Sequence, residues 1–120
     1  MLNNTSATKN VVIYACIYNG RYYKGKTQLS VDEQLKACRE FAERNNLNVV
    51  GEYREKTRFS WKGIKRPQYS NMIEEHKDTQ FQSILIYSWG RLYVDSLKYM
   101  FGKAQLIERG ISILQARVKI

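Results

Sequence analysis

The stretch that decides the fold is Val11-Val12-Ile13-Tyr14-Ala15-Cys16-Ile17-Tyr18, near the start of the 120-residue chain. It is almost continuously apolar and rich in β-branched residues. A strand with one wet face would alternate apolar and polar residues, so this run predicts a strand that is covered on both faces. We therefore expect a single α/β domain whose central sheet has at least four strands, the first of which ends near Tyr18.

The sequence beyond this strand alternates helical and extended patterns. Ser30 and Glu33 form a capping box at the start of a helix, Pro67 is typical of a first helical turn, and Gly110 is typical of a helix end. The predicted elements are a helix from Ser30 to Asn45-Asn46, a strand over Leu47–Tyr53, a long basic loop over Arg54–Arg66, a helix from Pro67, a strand over Ser83–Ser88, a helix over Asp95–Arg109 and a strand over Ile111–Ala116. This alternation predicts the α/β class, in three layers, with a mainly parallel central sheet flanked by helices.

The length suits one compact domain, and we expect a flexible tail over residues 1–10 and a single domain over residues 11–120. No apolar run reaches the length that crosses a bilayer, and the N-terminus lacks the layout of a secretory signal, so we expect a cytoplasmic protein without a membrane partner. Cys16, Cys38 and His76 do not form a metal-ligand pattern. We expect two buried thiols, a histidine that packs on the side of its helix, and neither a metal nor a cofactor.

Charge indicates the class of partner. Twenty Lys and Arg residues against eleven Asp and Glu residues give a net charge of +9, which favours a polyanion such as nucleic acid. The basic residues lie among aromatic residues such as Tyr22, Tyr23 and Trp61, and this mixture suits phosphate contact combined with stacking on bases. The predicted DNA-binding residues are Arg21, Lys24, Lys26, Arg58, Lys62 and Lys65.

Parallel sheets place their functional sites beyond the carboxyl ends of the strands. The first predicted strand ends at Tyr18, the second leads into the segment Arg54–Arg66, and the third leads into Trp89-Gly90-Arg91. We therefore expect these three pieces of sequence to meet at one edge of the sheet and to form the site there.

Four motifs follow one another in a familiar order. The first strand ends in Tyr14-Ala15-Cys16-Ile17-Tyr18, and the first helix begins with Ser30-Val31-Asp32-Glu33-Gln34. Glu55, Ser60 and Arg66-Pro67 come next, and Gly90-Arg91-Leu92-Tyr93-Val94 follows the third strand. This order resembles the N-terminal catalytic domain of the resolvase/invertase family of serine site-specific recombinases, and more closely its large integrases. The corresponding family patterns are Tyr-Ala-Arg-Val-Ser, Ser-Leu-x-x-Gln, an acidic residue with a Ser-Gly loop and Arg-Pro, and Asp-Arg-Leu-x-Arg. The resemblance covers roughly residues 11–116.

The resemblance also implies what chemistry is lost. In the family a serine hydroxyl attacks a DNA phosphodiester to form a phosphoserine, and arginines stabilise the charge that develops on the phosphoryl oxygens. This chain keeps Arg66 and Arg91, which are expected to lie together, facing Tyr18, around one phosphate. The family's serine is replaced by Tyr18, two arginines are replaced by Cys16 and Val94, and an aspartate is replaced by Gly90. We therefore expect a DNA-recombination domain whose active site is degenerate and catalytically inactive.

Three functions remain open from the sequence. The first is residual binding of DNA, of a partner recombinase or of a second copy of the chain. The second is an active recombinase with a shifted nucleophile, such as the phenol of Tyr18. The third is a small basic regulator that binds RNA or another phosphate-bearing ligand. Family members continue into a C-terminal DNA-binding domain, which we do not expect within these 120 residues.

Overall fold

The computed structural model of the chain describes residues 9–19, 29–60, 63–64, 66–88 and 104–117. Its elements are, in order, β1 (Asn10–Asn19), α1 (Val31–Arg44), β2 (Asn48–Ser60), β3 (Gly63–Ile64), α2 (Pro67–Thr79), β4 (Ser83–Ile86) and β5 (Ser112–Gln115). Within this part of the chain one sheet has the strand order β3-β2-β1-β4-β5. The strands β1, β2, β4 and β5 are parallel, and β3 pairs antiparallel with the end of β2. The predicted α/β class, and a first strand that ends near Tyr18, are confirmed.

Helices cover both faces of the sheet, because β1 is apolar on both sides. On one face α1 packs against the sheet through a cluster of buried residues from both, which are Ile13, Ala15, Leu35, Cys38, Ala42 and Leu85. On the other face α2 and the helical residues 104–108 pack against the sheet through a second cluster, which contains Val12, Tyr14, Cys16, Met72, Phe81, Ile84, Ile86, Leu106 and Ile111. Consecutive residues of β1 thus contribute to opposite clusters, as the two-residue period of a strand requires. The expected three layers are present.

The local helix signals act as expected. Ser30 Oγ accepts a hydrogen bond from the Glu33 N–H at 3.1 Å, and Glu33 Oε1 accepts one from the Ser30 N–H at 3.0 Å, which completes the capping box. Asn46 has φ 55°, and Pro67 is the first residue of α2. Gly110 has φ 72° after the helical residues 104–108. The sequence therefore located these helix boundaries.

The predicted loop over Arg54–Arg66 is wrong. β2 continues to Ser60, pairs with β1 as far as Asn19 opposite Arg58, and turns back into β3. The physical reason is an alternation that runs through the basic residues. Arg54 and Lys56 are exposed whereas Tyr53 is half-buried and Glu55 is buried, which is the period of a strand with one wet face. The three consecutive charges Arg54-Glu55-Lys56 show no alternation of apolar and polar residues, so the sequence predicts a loop, and the two-residue period is visible only in the burial of the folded chain.

Cysteine and histidine are placed as expected. Cys16 and Cys38 are both fully buried thiols, one in each core cluster. His76 lies on the side of α2, with Nε2 3.1 Å from the Phe81 carbonyl oxygen and its ring edge-on to the Phe81 ring. His76 is therefore a packing residue that joins the end of α2 to the approach to β4.

Candidate functional site

The carboxyl ends of the parallel strands define the candidate site. Tyr18 and Asn19 end β1 opposite Thr57 and Arg58 of β2, so the backbone at Tyr18 is part of a regular ladder. β4 and β5 run in the same direction and end at Ile86 and Gln115. The chain therefore leaves all four parallel strands toward the same edge of the sheet, hereafter the carboxyl edge.

Glu55 forms a buried polar cluster near this edge. Its side chain is 2% exposed and lies on β2 opposite Cys16 of β1. The carboxylate accepts hydrogen bonds from the Tyr14 hydroxyl at 3.1 Å, from the Tyr69 N–H at 2.9 Å and from the Gln68 N–H at 3.3 Å. Because the last two N–H groups belong to the first turn of α2, Glu55 caps this helix from the neighbouring strand.

Tyr14 is held in its neutral form within the cluster. Burial raises the pKa of its hydroxyl far above the usual value, and the neighbouring Cys16 and Glu55 raise this pKa further, whereas Arg66 lowers it. The ring of Tyr14 also packs edge-on against Tyr69 with centroids 5.6 Å apart. Tyr14 is therefore a hydrogen-bond donor to Glu55 and has no tendency to ionise near neutral pH.

Arg66 lies at the start of α2, in the N-cap position, and is half-buried. Its guanidinium carbon is 5.8 Å from the centre of the Tyr69 ring, within the range of a cation–π contact. Its charge also acts on Tyr14. Arg66, which the sequence assigns to phosphate contact, thus lies at the Glu55–α2 junction and close enough to Tyr14 of β1 for its charge to act there.

Gln34 is a second buried polar residue near the carboxyl edge, fully buried on α1. Its amide oxygen accepts from the Cys16 N–H at 3.1 Å, and its amide nitrogen donates to the Cys16 carbonyl at 2.8 Å and to the Leu29 carbonyl at 3.1 Å. The sequence singled out Gln34 and Glu55 only as family positions. Their burial could not be predicted from the local pattern, because the groups that Glu55 and Gln34 bind on β1 lie 41 and 18 positions away in the chain.

The opposite face of β2 carries ion pairs with α1. Arg39 donates to both carboxylate oxygens of Glu52, at 2.6 and 2.7 Å, and Arg54 Nη1 lies 2.6 Å from Asp32 Oδ1. The Arg39 guanidinium lowers the pKa of Glu52 from its ordinary value. Arg54 is therefore engaged by an acidic neighbour on α1.

Three of the predicted site residues lie within the part of the chain that the structure describes. The backbones of Tyr18 and Arg58 lie on the paired ends of β1 and β2, and Arg66 lies at the start of α2. The remaining predicted residues lie outside the described residues, and they are Arg21, Lys24, Lys26, Lys62, Lys65 and Arg91. The expected meeting of Arg66 with Arg91 therefore stays a prediction.

Charge is distributed unequally along the chain. Within residues 9–19, 29–60, 63–64, 66–88 and 104–117, acidic and basic residues are almost balanced. The segments 20–28, 61–62, 65, 89–103 and 118–120 contain nine of the twenty basic residues and, in Asp95, one of the eleven acidic ones. The segments 20–28, 61–62, 89–103 and 118–120 follow the ends of β1, β2, β4 and β5, respectively. Most of the excess positive charge therefore belongs to segments that follow the carboxyl ends of the parallel strands.

An open groove of about 350 Å³ lies away from this edge, lined by Lys9, Phe41, Asn45, Asn46, Leu47 and Leu114. Lys9 and Leu47 directly precede β1 and β2, so the groove is near the amino ends of these strands. Among the described residues, no three His, Cys, Asp or Glu side chains are grouped so that they could hold a metal ion. The helices in the same part of the chain are too short or too polar to cross a membrane.

Comparison with known proteins agrees with this architecture. The family model described as Resolvase, N terminal domain matches residues 20–119. No curated protein sequence matches the chain.

Several solved structures share the fold. The N-terminal catalytic domain of TP901-1 integrase is similar with a TM-score of 0.74 and 23% identity, over 90% of this chain and 77% of that one. A resolvase family site-specific recombinase from Streptococcus pneumoniae is similar with a TM-score of 0.72 and 19% identity, over 91% and 72%. The C-terminal catalytic domain of ISC1926 TnpA, an IS607-like serine recombinase, is similar with a TM-score of 0.68 and 15% identity, over 92% and 69%.

Proposed function

Because the chain belongs to the family of resolvase N-terminal domains, we propose that it is a serine-recombinase domain of DNA recombination that binds DNA but no longer cleaves it. The observation that carries this proposal is Cys16. Its fully buried side chain lies opposite Glu55, at the position where the family pattern has an arginine. A thiol there supplies no positive charge, so it cannot stabilise the charge of a transferring phosphoryl group as an arginine does.

The nucleophile position supports the same conclusion. Tyr18 stands where the family pattern has its serine, one residue before the end of β1. Its backbone is fixed there by pairing with Thr57. A phenol oxygen extends much farther from its backbone than a serine oxygen does. A phosphate placed for attack by Tyr18 would therefore be displaced from Arg66, and the positioning on which phosphoryl transfer depends would be lost.

The carboxyl edge supports binding. The segments that begin there contain most of the excess positive charge, and they include Arg21, Lys24, Lys26 and Lys62, whereas Lys65 follows β3. Contacts between such residues and phosphates release counterions, and they do not depend on base sequence. We therefore propose weak binding of duplex DNA, with little sequence preference, around Arg66 and the Arg58 end of β2. A partner recombinase, or a second copy of the chain, would bind the same DNA.

The test is DNA affinity as a function of salt. Simultaneous replacement Lys62→Ala, Lys65→Ala and Arg66→Ala should weaken binding and reduce the slope of log K against log salt by about 2–3 over roughly 50–200 mM salt. The matched control removes the same charge elsewhere, through Lys36→Ala, Arg44→Ala and Lys77→Ala on exposed helix positions. Equal effects of the two triple variants would exclude a localised binding surface. Tighter binding of single-stranded RNA than of duplex DNA would favour the RNA-binding regulator instead.

Arg66 and Arg91 are proposed to share one phosphate at this edge. Two guanidinium groups that bind the same anion should show non-additive effects on its affinity. Sulfate protection against thermal unfolding measures this in Arg66→Ala, Arg91→Ala and the double variant. Additive losses would mean that the two arginines act at separate places.

A further inference from the structure

Gln34 joins two separate pieces of backbone. Through one amide group it binds the N–H and the carbonyl of Cys16 on β1, and the carbonyl of Leu29 just before α1. The side chain is fully buried, so these bonds are not shared with bulk water. A buried amide that binds three backbone groups fixes their relative positions, because each of them would be costly to leave without a partner.

The bonds lie at a specific place along β1. Pairing of β1 with β4 extends from Val11 opposite Ser83 to Ile13 opposite Leu85, whereas pairing with β2 continues to Asn19. Past Ile13, the Gln34 amide binds the backbone of Cys16 in the manner of a neighbouring strand. It therefore stabilises the extended conformation of β1 two residues before Tyr18.

The same amide also holds Leu29, just before α1, through its bond to the Leu29 carbonyl. The sequence between Asn19 and Leu29 contains Arg21, Lys24 and Lys26, three of the residues proposed to contact DNA. Fixing the separation of two chain ends lowers the entropy that must be lost when the residues between them bind a ligand.

We infer that Gln34 is a positioning residue for polyanion binding at the carboxyl edge, which acts by joining the end of β1 to the start of α1. This role rests on the proposed DNA binding. It differs from phosphate contact in a measurable way. Loss of a positioning residue weakens binding without changing the number of phosphates contacted, so the salt slope stays constant, whereas loss of a contacting lysine or arginine changes both.

The experiment compares the wild-type chain with Gln34→Met, which retains the length of the side chain and removes its polar groups. We expect affinity for duplex DNA to fall by about three- to tenfold with an unchanged salt slope. We also expect faster hydrogen exchange at the Cys16 amide, measured without DNA. Gln34→Asn, whose amide is one methylene shorter, is the milder second variant if Gln34→Met does not fold, and should show the same two effects.

The control is Leu35→Ala, a buried position of the same helix whose replacement destabilises the fold without removing the amide bonds. Under conditions where it is folded, it should bind DNA as the wild type does. Wild-type affinity in folded Gln34→Met or Gln34→Asn, together with faster exchange at Cys16, would overturn the positioning role alone. A reduced salt slope would also overturn it, by making Gln34 part of the contact surface. Absence of duplex binding by the wild-type chain would overturn the proposed function and this role with it.

Discussion

Glu55 on β2 accepts a hydrogen bond from the backbone N–H of Tyr69 on α2 at 2.9 Å, so a strand residue caps a helix. The N-cap position itself is occupied by Arg66. This arrangement leaves the guanidinium available to contact the Tyr69 ring while the carboxylate satisfies the first turn of α2. The buried carboxylate of Glu55 therefore ties the start of α2, and with it Arg66, to the sheet.

Replacement Glu55→Gln should lower the free energy of unfolding by about 1–2 kcal/mol. The carboxylate accepts from Tyr14, Gln68 and Tyr69, whereas an amide has a single acceptor oxygen and presents a donor to the remaining groups. Urea unfolding at neutral pH measures the difference.

The control for this replacement is Glu52→Gln, on the same strand but in a partly exposed ion pair with Arg39. It should cost no more than about 0.5–1 kcal/mol, because surface pairs contribute little. Equal losses in the two variants would contradict a special role for the buried carboxylate.

Alkaline pH should destabilise the fold between about pH 9 and pH 12. Burial raises the pKa of the Cys38 thiol from 9.0 to about 12, and burial and Glu75 raise the pKa of Tyr53 from 10.0 to about 12. In this window the unfolded chain has lost protons that the folded chain retains, so the free energy of unfolding falls as the pH rises. Urea unfolding at several alkaline pH values measures the slope.

Cys38→Ala separates the thiol from the tyrosines. The variant is less stable at neutral pH because it leaves a small cavity, but its stability should fall less steeply above about pH 9. A slope identical to that of the wild type would show that Cys38 does not contribute to the alkaline transition.

Gly110→Ala should lower the free energy of unfolding by about 1–2 kcal/mol through backbone strain. Gly110 has φ 72°, and its N–H donates to Ile107 while the Ile111 N–H donates to Leu106, which is the Schellman arrangement. A Cβ at this position would meet no atom of the described residues within 4 Å, so the cost is conformational and not steric. Thermal unfolding of the variant measures it.

Gly51→Ala is the matched control, because Gly51 lies in β2 and an added Cβ would make ordinary contacts, the nearest at 3.4 Å from Val12 Cγ1. It should change stability by no more than a few tenths of a kcal/mol, or increase it. A larger loss at Gly51 than at Gly110 would contradict the strain argument.

No covalent adduct should form when the protein is incubated with a nicked suicide substrate of recombination-site DNA. Tyr18→Ser should not restore cleavage, since Cys16, Gly90 and Val94 still lack the groups that stabilise the phosphoryl transition state. Denaturing electrophoresis of labelled DNA detects any adduct. A trapped species that disappears in Tyr18→Phe would establish a tyrosine nucleophile and an active enzyme.

The sequence by itself determined the features that depend on near neighbours. The apolar run ending at Tyr18, the Ser30 capping box, Pro67 at the start of α2 and Gly110 after the last helix each act within a few residues. Their physical causes are local backbone geometry and the periodicity of burial, so they could be recognised without knowledge of the fold.

Only the tertiary structure decided the length of β2 and the roles of Glu55 and Gln34. β2 extends to Ser60 because it pairs with β1 as far as Arg58, opposite Asn19, and then with β3. Glu55 is buried because α2 presents its first N–H groups 13 and 14 positions later in the chain, and Gln34 because it binds Cys16 across 18 positions. A polar side chain becomes favourable in the interior only when distant donors and acceptors converge on it, and this convergence is a property of the folded chain.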